Sequence, residues 1–147
     1  MLNIEVKKNV SMVSLSYALS DSAKALSALA LLGKKSINID MISLSPTGAG
    51  KVSLAFSFDD EDFSDLLAVL SEFRRDKYDL KISVRNDNAK ILIVSEEMKN
   101  QSGVAEKILN SLTNAGIEVI MVTTAETEIS VLVNSDDVDR AIEIIKA

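Results

Sequence analysis

At 147 residues, 47% apolar but only 4% aromatic, the chain is long enough for one ordinary domain or two small ones around a core expected to be aliphatic. A formal net charge of −6 argues against nucleic acid or an anionic membrane as a main partner, since both call for a basic face. The absence of cysteine and histidine removes disulfides, thiolate metal sites, thiol nucleophiles and the commonest general base, so no enzyme, no cofactor and no metal site is expected.

The N-terminus, "MLNIEVKK", has no apolar signal core, and no apolar run approaches the ~20 residues of a membrane helix. A cytoplasmic protein is the expectation. Leu2 to Lys7 reads as a strand segment. Residues 22–35 read as a helix, "ALSALALLG", apolar nearly all round, which asks for burial on more than one side, between domains or against a second copy. "INIDMISLS" (37–45) is a strand, and Val52, Leu54, Phe56 and Phe58 alternate with small polar residues as a half-buried strand. Phe63, Leu66, Leu67, Leu70 and Phe73 mark a second helix, and Leu80 to Val84 a further strand.

The pattern then repeats. Ala89 to Ser95 is a strand, and Val104, Ile108, Leu112 and Ala115 line one side of a helix that Gly116 ends. Strands follow at Ile117 to Thr124 and Glu128 to Val133. Ser135 is the expected N-cap of a last helix with the stripe Val138, Ala141, Ile142 and Ile145. "IEVKKN" (4–9) answers "ISVRND" (82–87), and "KVSLAFSFDDEDFSDLLAVL" (51–70) answers "EISVLVNSDDVDRAIEII" (128–145). The first copy has a fourth strand; the second stops at Ala147 without one, while the segment 1–7 stands unclaimed. The economical solution is an α+β fold of two ferredoxin-like βαββαβ domains, the first (8–86) inserted into the second (87–147 plus the N-terminal strand 1–7).

Two stretches invite a chemical reading and fail it. "SPTGAGKVS" (45–53) resembles a phosphate loop, but Ser45 stands where the first glycine belongs, Val52 replaces the magnesium-binding hydroxyl, and an alternating strand follows instead of a helix. It is a strand–turn–strand connection, with Pro46 and Gly48 or Gly50 supplying the turn. The acidic run "DDED" (59–62) precedes helical periodicity and suits the positive end of a helix better than a metal. "MKNQSGVAEKI" (98–108) is more promising: a loop runs into a helix start whose unpaired N–H groups suit a carboxylate, with Gly103 allowing close approach and Ser102 as the simple capping alternative.

"GIEVIMVTTAETEISVLV" (116–133), with "MKNQSGVA" upstream, resembles the second ACT domain of aspartokinases, and "INIDMIS" (37–43) resembles the start of the second strand in their first. The resemblance covers nearly the whole chain and includes the inserted-domain order. It implies a regulatory, non-catalytic ACT pair, free-standing or a separately made regulatory part, that binds an amino-acid effector of the lysine or threonine class at an ACT–ACT interface. It also implies a homodimer and a kinase or biosynthetic-enzyme partner. The family's helix-start loop reads D-x-P-G. The first copy has "SDSAK", which keeps Asp21, and the second keeps Gly103 and Val104 with Ser102 in the proline position. Asn38 matches the family's "GIN" and Glu118 replaces it in the second copy, while Ser43, Leu44 and Ser45 occupy the place of its Gln-Asn pair. Donors for an effector carboxylate would come from Gln101, Ser102, Gly103 and Val104. Acceptors for its ammonium would come from carbonyls near Ile39 or Val119, with Asp21, Asp40 or Glu118. The alternative is an ACT protein that serves dimerisation or structure and has lost effector binding.

Overall fold

The computed structural model describes residues 2–75 and 80–147. Met1 of the expected segment 1–7 and residues 76–79 of the expected domain 8–86 lie outside the described residues. The chain divides into two compact units: a continuous unit, Val10–Asn86, and a split unit made of Met1–Asn9 with Asp87–Ala147. The elements are β1 (Asn3–Ala18), α1 (Ser22–Lys34), β2 (Ile42–Gly48), β3 (Lys51–Asp59), α2 (Phe63–Arg74), β4 (Lys81–Val94), α3 (Val104–Asn114), β5 (Met121–Thr124), β6 (Glu128–Asn134) and α4 (Val138–Lys146). The expected mixed α+β architecture with antiparallel pairing is present.

Both unit boundaries fall inside strands, β1 and β4. The backbone marks each one. Asn9 (φ 59°) and Asp87 (φ 62°) are left-handed, a conformation that Asn and Asp tolerate better than other side chains that carry a Cβ. These are the last residues of the matching stretches "IEVKKN" and "ISVRND".

In the continuous unit β3 lies between β2 and β1, and β4 follows β1. The register sets Val13 against Phe56 and Leu15 against Leu54, so the period-2 pattern puts their side chains on one face. That face packs on Leu32 of α1 and on Leu66 and Leu70 of α2. In the split unit β4 lies between β1 and β6, and β5 is at the edge. Ile91 opposes Val131 and Ala89 opposes Val133, over Ile108 and Leu112 of α3 and Ala141 and Ile145 of α4.

The repeat is tighter than its motifs suggest. Ser22 to Met41 lies on Ser102 to Met121 at a constant offset of 80 residues, and Leu32/Leu112, Ile37/Ile117 and Met41/Met121 are buried in both. Each pair of helices therefore closes over its strands by the same anchors.

Several expectations need correction. The core is not purely aliphatic: Tyr17, Phe56 and Phe58 are buried in the continuous unit, whereas the split unit has no Phe or Tyr at all. The strands expected from 37 and 117 start later, at Ile42 and Met121, because the preceding residues run as irregular extended connections pinned by Ile37 and Ile117. Pro46 is no turn residue. It sits within β2 opposite Val52, allowed because β2 is an edge strand, and the turn uses Gly48, Ala49 and Gly50, all with positive φ. Ser135 does not cap the last helix: it opens a 3-10 turn (Ser135–Asp137) that Asn134 caps, its side chain accepting from the Asp136 N–H at 2.9 Å, and α4 itself starts after Asp137 with no side-chain cap. Within its unit α1 buries only Ala25, Ala28 and Leu32, leaving Leu26 and Leu31 about half exposed, at 51% and 47%. In the acidic run, Asp60–Asp62 form a 3-10 turn ahead of α2, and Asp60 accepts a hydrogen bond from the buried Ser11 hydroxyl.

Candidate functional site

The residues singled out from sequence fall at two kinds of place, helix starts and the connections that follow helix ends. Asp21 closes a 3-10 turn (Leu19–Asp21) at the N-cap position of α1, half-buried, and makes no capping hydrogen bond with its side chain. Gly103 holds the same position at α3, with φ 86° and ψ 1°. Only glycine takes that angle without strain, and a Cβ there would meet nothing within 4 Å. The glycine thus serves the backbone angle, and the space before it is open. No side chain caps α3, so Ser102 does not fill the capping role, and the first-turn N–H groups point out beside exposed Gln101 and Ser102 and half-buried Val104.

The second cluster lies beyond the far helix end. Asn38, Ile39 and Asp40 follow α1, and Glu118 and Val119 follow α3. In the continuous unit the buried Ser57 ties this connection down: its carbonyl accepts from the Asp40 N–H at 3.0 Å and its hydroxyl from the Met41 N–H at 2.9 Å. In the split unit the position of Ser57 is taken by Leu132, and the Ile120 N–H donates to the Leu132 carbonyl at 2.8 Å. A hydroxyl tether in one copy is a purely backbone tether in the other.

Within a unit the two clusters do not meet. Helix α1 has 13 residues and α3 has 11, so at ~1.5 Å rise per residue they separate Asp21 from Asn38, and Gly103 from Glu118, by about 16–20 Å. Gln101 and Val104, by contrast, come together with residues that sequence reasoning missed. They line a groove with Lys107, Ser111 and Ile144. The signal was present as helical spacing, because Val104, Lys107, Ile108 and Ser111 share one face of α3.

One titratable group near these starts is perturbed. Tyr17, at the end of β1, is 1% exposed and packs edge-on against Phe73 at 6.4 Å. Among the described residues its hydroxyl meets no partner at full hydrogen-bond geometry, and the Ser22 side chain interacts with it only weakly. Burial pushes its pKa above the ordinary 10.0; Ser22 at the start of α1 pulls the other way and burial wins. Among the described residues no group of three acidic side chains gathers as a metal site, and no helix is long and apolar enough to cross a membrane.

Residues 91–147 match the family model of the ACT domain. That match takes in the C-terminal part of the split unit. Along most of its length the chain is similar to aspartokinases: it is 31% identical over 128 residues to Aspartokinase 2 of Bacillus subtilis, covering 86% of the chain and 31% of that protein. It is 32% identical over 130 residues to the aspartokinase of Bacillus sp. strain MGA3, covering 88% and 32%. The chain thus spans about a third of the length of the curated relatives it matches. Its fold is that of the ligand-free regulatory subunit of aspartate kinase from Thermus thermophilus, with a TM-score of 0.84 at 20% identity over 97% of this chain and 94% of that one. The aspartate kinase of Synechocystis matches with a TM-score of 0.85 at 24% identity, over 97% of this chain but 25% of that one. Sequence and fold together match the ACT-domain regulatory region of aspartokinases.

Proposed function

We propose that the chain is a non-catalytic regulatory module of the aspartokinase type. In this reading it holds two ferredoxin-like βαββαβ ACT domains, residues 8–86 inserted into 87–147 plus 1–7, that bind a small amino acid of the lysine or threonine class at an ACT–ACT interface. The observation that carries the reading is the helix start at Gly103, which no side chain caps and whose first-turn N–H groups suit a carboxylate; the start at Asp21 also lacks a side-chain cap, but a 3-10 turn precedes it and its Ser22 N–H already donates to the Leu19 carbonyl. The separation of starts from ends within each unit supports an interface location, since no single ACT domain presents both donor and acceptor clusters to one small ligand. Binding that favours one arrangement of domains would shift its population, and a kinase partner would read the shift.

A thermal-shift titration with the twenty common amino acids tests this. Lysine or threonine is expected to raise the melting temperature, and Gly103→Val or Asp21→Ala to abolish the rise. No stabilisation by any amino acid at millimolar concentration would sink the reading. A second reading, dimerisation without effector, is favoured by β2, an edge strand with Ile42 and Leu44 exposed at 49% and 53%. Ile42→Lys with Leu44→Lys is then expected to yield a monomer in sedimentation while leaving the fold intact.

A further inference from the structure

We propose that Ser57 is a positioning residue for the effector site: it holds the connection 38–41 in the conformation that offers the Ile39 carbonyl to the ammonium group of a ligand. The inference rests on the reading above, in which that connection supplies the acceptors. Ser57 lies on β3 and is 0% exposed. Three hydrogen bonds run between it and two successive residues of the connection. Its carbonyl accepts from the Asp40 N–H at 3.0 Å, its N–H donates to the Met41 carbonyl at 2.9 Å, and its hydroxyl accepts from the Met41 N–H at 2.9 Å. Two residues thus face one residue of β3, in the manner of a β-bulge. The bonds occupy the Asp40 N–H and both backbone groups of Met41. The Ile39 carbonyl, between exposed Asn38 and Asp40, accepts no backbone hydrogen bond among the described residues. An acceptor left over on a fixed backbone suits an ammonium, because no loop has to be ordered when the ligand arrives.

The split unit shows what the hydroxyl adds. At the offset of 80, Asp40 corresponds to Ile120 and Met41 to Met121. The Ile120 N–H donates to the Leu132 carbonyl at 2.8 Å, as the Asp40 N–H does to Ser57, so the backbone part of the tether is common to both copies. The side-chain part is not. Leu132 carries no acceptor, and Met121 is already the first ladder residue of β5, paired with Leu132. Met41 stands ahead of β2, which starts at Ile42, and its N–H goes to the hydroxyl instead. A connection of this kind therefore closes with leucine in that place, at a gain from apolar burial. A buried hydroxyl brings no such gain and is tolerated only when bonded. Closing the fold does not demand it; fixing residues 38–41 off the ladder does.

Calorimetric titration of the full chain with lysine and with threonine tests the role. The amino acid that binds the wild type is expected to bind Ser57→Ala about tenfold more weakly or worse, and Ser57→Thr, which restores the hydroxyl, with most of the affinity recovered. Val69→Ala weakens the same core away from the connection and should leave the affinity unchanged, which separates positioning from mere loss of stability. Amide exchange without ligand reads the tether directly: the Met41 N–H should exchange about tenfold faster or more in Ser57→Ala than in the wild type. Wild-type affinity or wild-type Met41 exchange in Ser57→Ala, equal weakening by Val69→Ala, or no recovery in Ser57→Thr would overturn the positioning role and leave effector binding standing. Absence of binding by either amino acid to the wild type would overturn both readings.

Discussion

The two units follow one plan with different materials. The continuous unit fills its core with aromatics: Phe56 and Phe58 on β3 and Tyr17 on β1. At the first two of these places the split unit has Val131 and Val133, and its core is wholly aliphatic. The outsides differ as well. Of the exposed large apolar side chains, Leu26, Leu31 and Leu67 lie on the helices of the continuous unit, and α3 and α4 carry none. A 4% aromatic content averaged over the chain describes neither unit. One topology accepts either core provided the anchors at Leu32/Leu112 and Ile37/Ile117 are kept, as expected where patterning and volume matter more than identity.

The sharpest way to break the comparison is to truncate matched core positions. Phe56→Ala is expected to cost roughly 3–5 kcal/mol and Val131→Ala about 2, measured by urea unfolding, because the larger ring leaves the larger cavity. Equal costs would mean that the two cores are equally able to collapse. The next effect lies at the helix ends, where Gly116 (φ 79°) and its counterpart Ser36 (φ 62°) are both left-handed. Gly116→Ala should destabilise by about 1–2 kcal/mol, and Ser36→Gly should stabilise by up to about 1, so the copies respond in opposite directions. Tyr17→Phe removes a buried hydroxyl that meets no full hydrogen bond among the described residues and should raise stability by about 1 kcal/mol. It should also change the alkaline behaviour. Because burial raises the folded-state pKa of Tyr17 above 10.0, its contribution is complete below that pH and is lost as the pH climbs through the folded-state value; the variant lacks this slope. Smallest, Asn134→Ala removes the side-chain cap of the 3-10 turn that leads into α4 and should cost about 0.5–1 kcal/mol.

Helical stripes were the most legible feature of the sequence. Ile108 and Leu112, Leu66 and Leu70, and Val138, Ala141 and Ile145 are buried as their spacing requires. Leu67 remained 37% exposed while Val69 was buried, because neighbouring apolar residues on one helix do not announce which edge of the stripe faces the strands. Strand starts were less legible. The alternation of "INIDM" is satisfied by burying Ile37 and Met41 in a connection that is not yet a ladder strand. At the candidate site the sequence marked helix starts and ends correctly as chemical features. It did not convey that 11 to 13 helical residues hold them apart. The groove residues went unremarked because Glu97, Lys107 and Ile144 are far apart in sequence and meet only when α3 packs beside α4.

The split of one unit across the chain has a consequence in time. Residues 2–9 are synthesised well before their partners, from Asp87 onward. Everything between belongs to the continuous unit, which can fold as soon as Asn86 has emerged. At ~5–20 residues per second the first strand segment waits on the order of ten seconds for the helix that completes its own core. Its polar composition, "NIEVKKN", with two lysines and a glutamate, suits a segment that must stay soluble and unpaired through that interval.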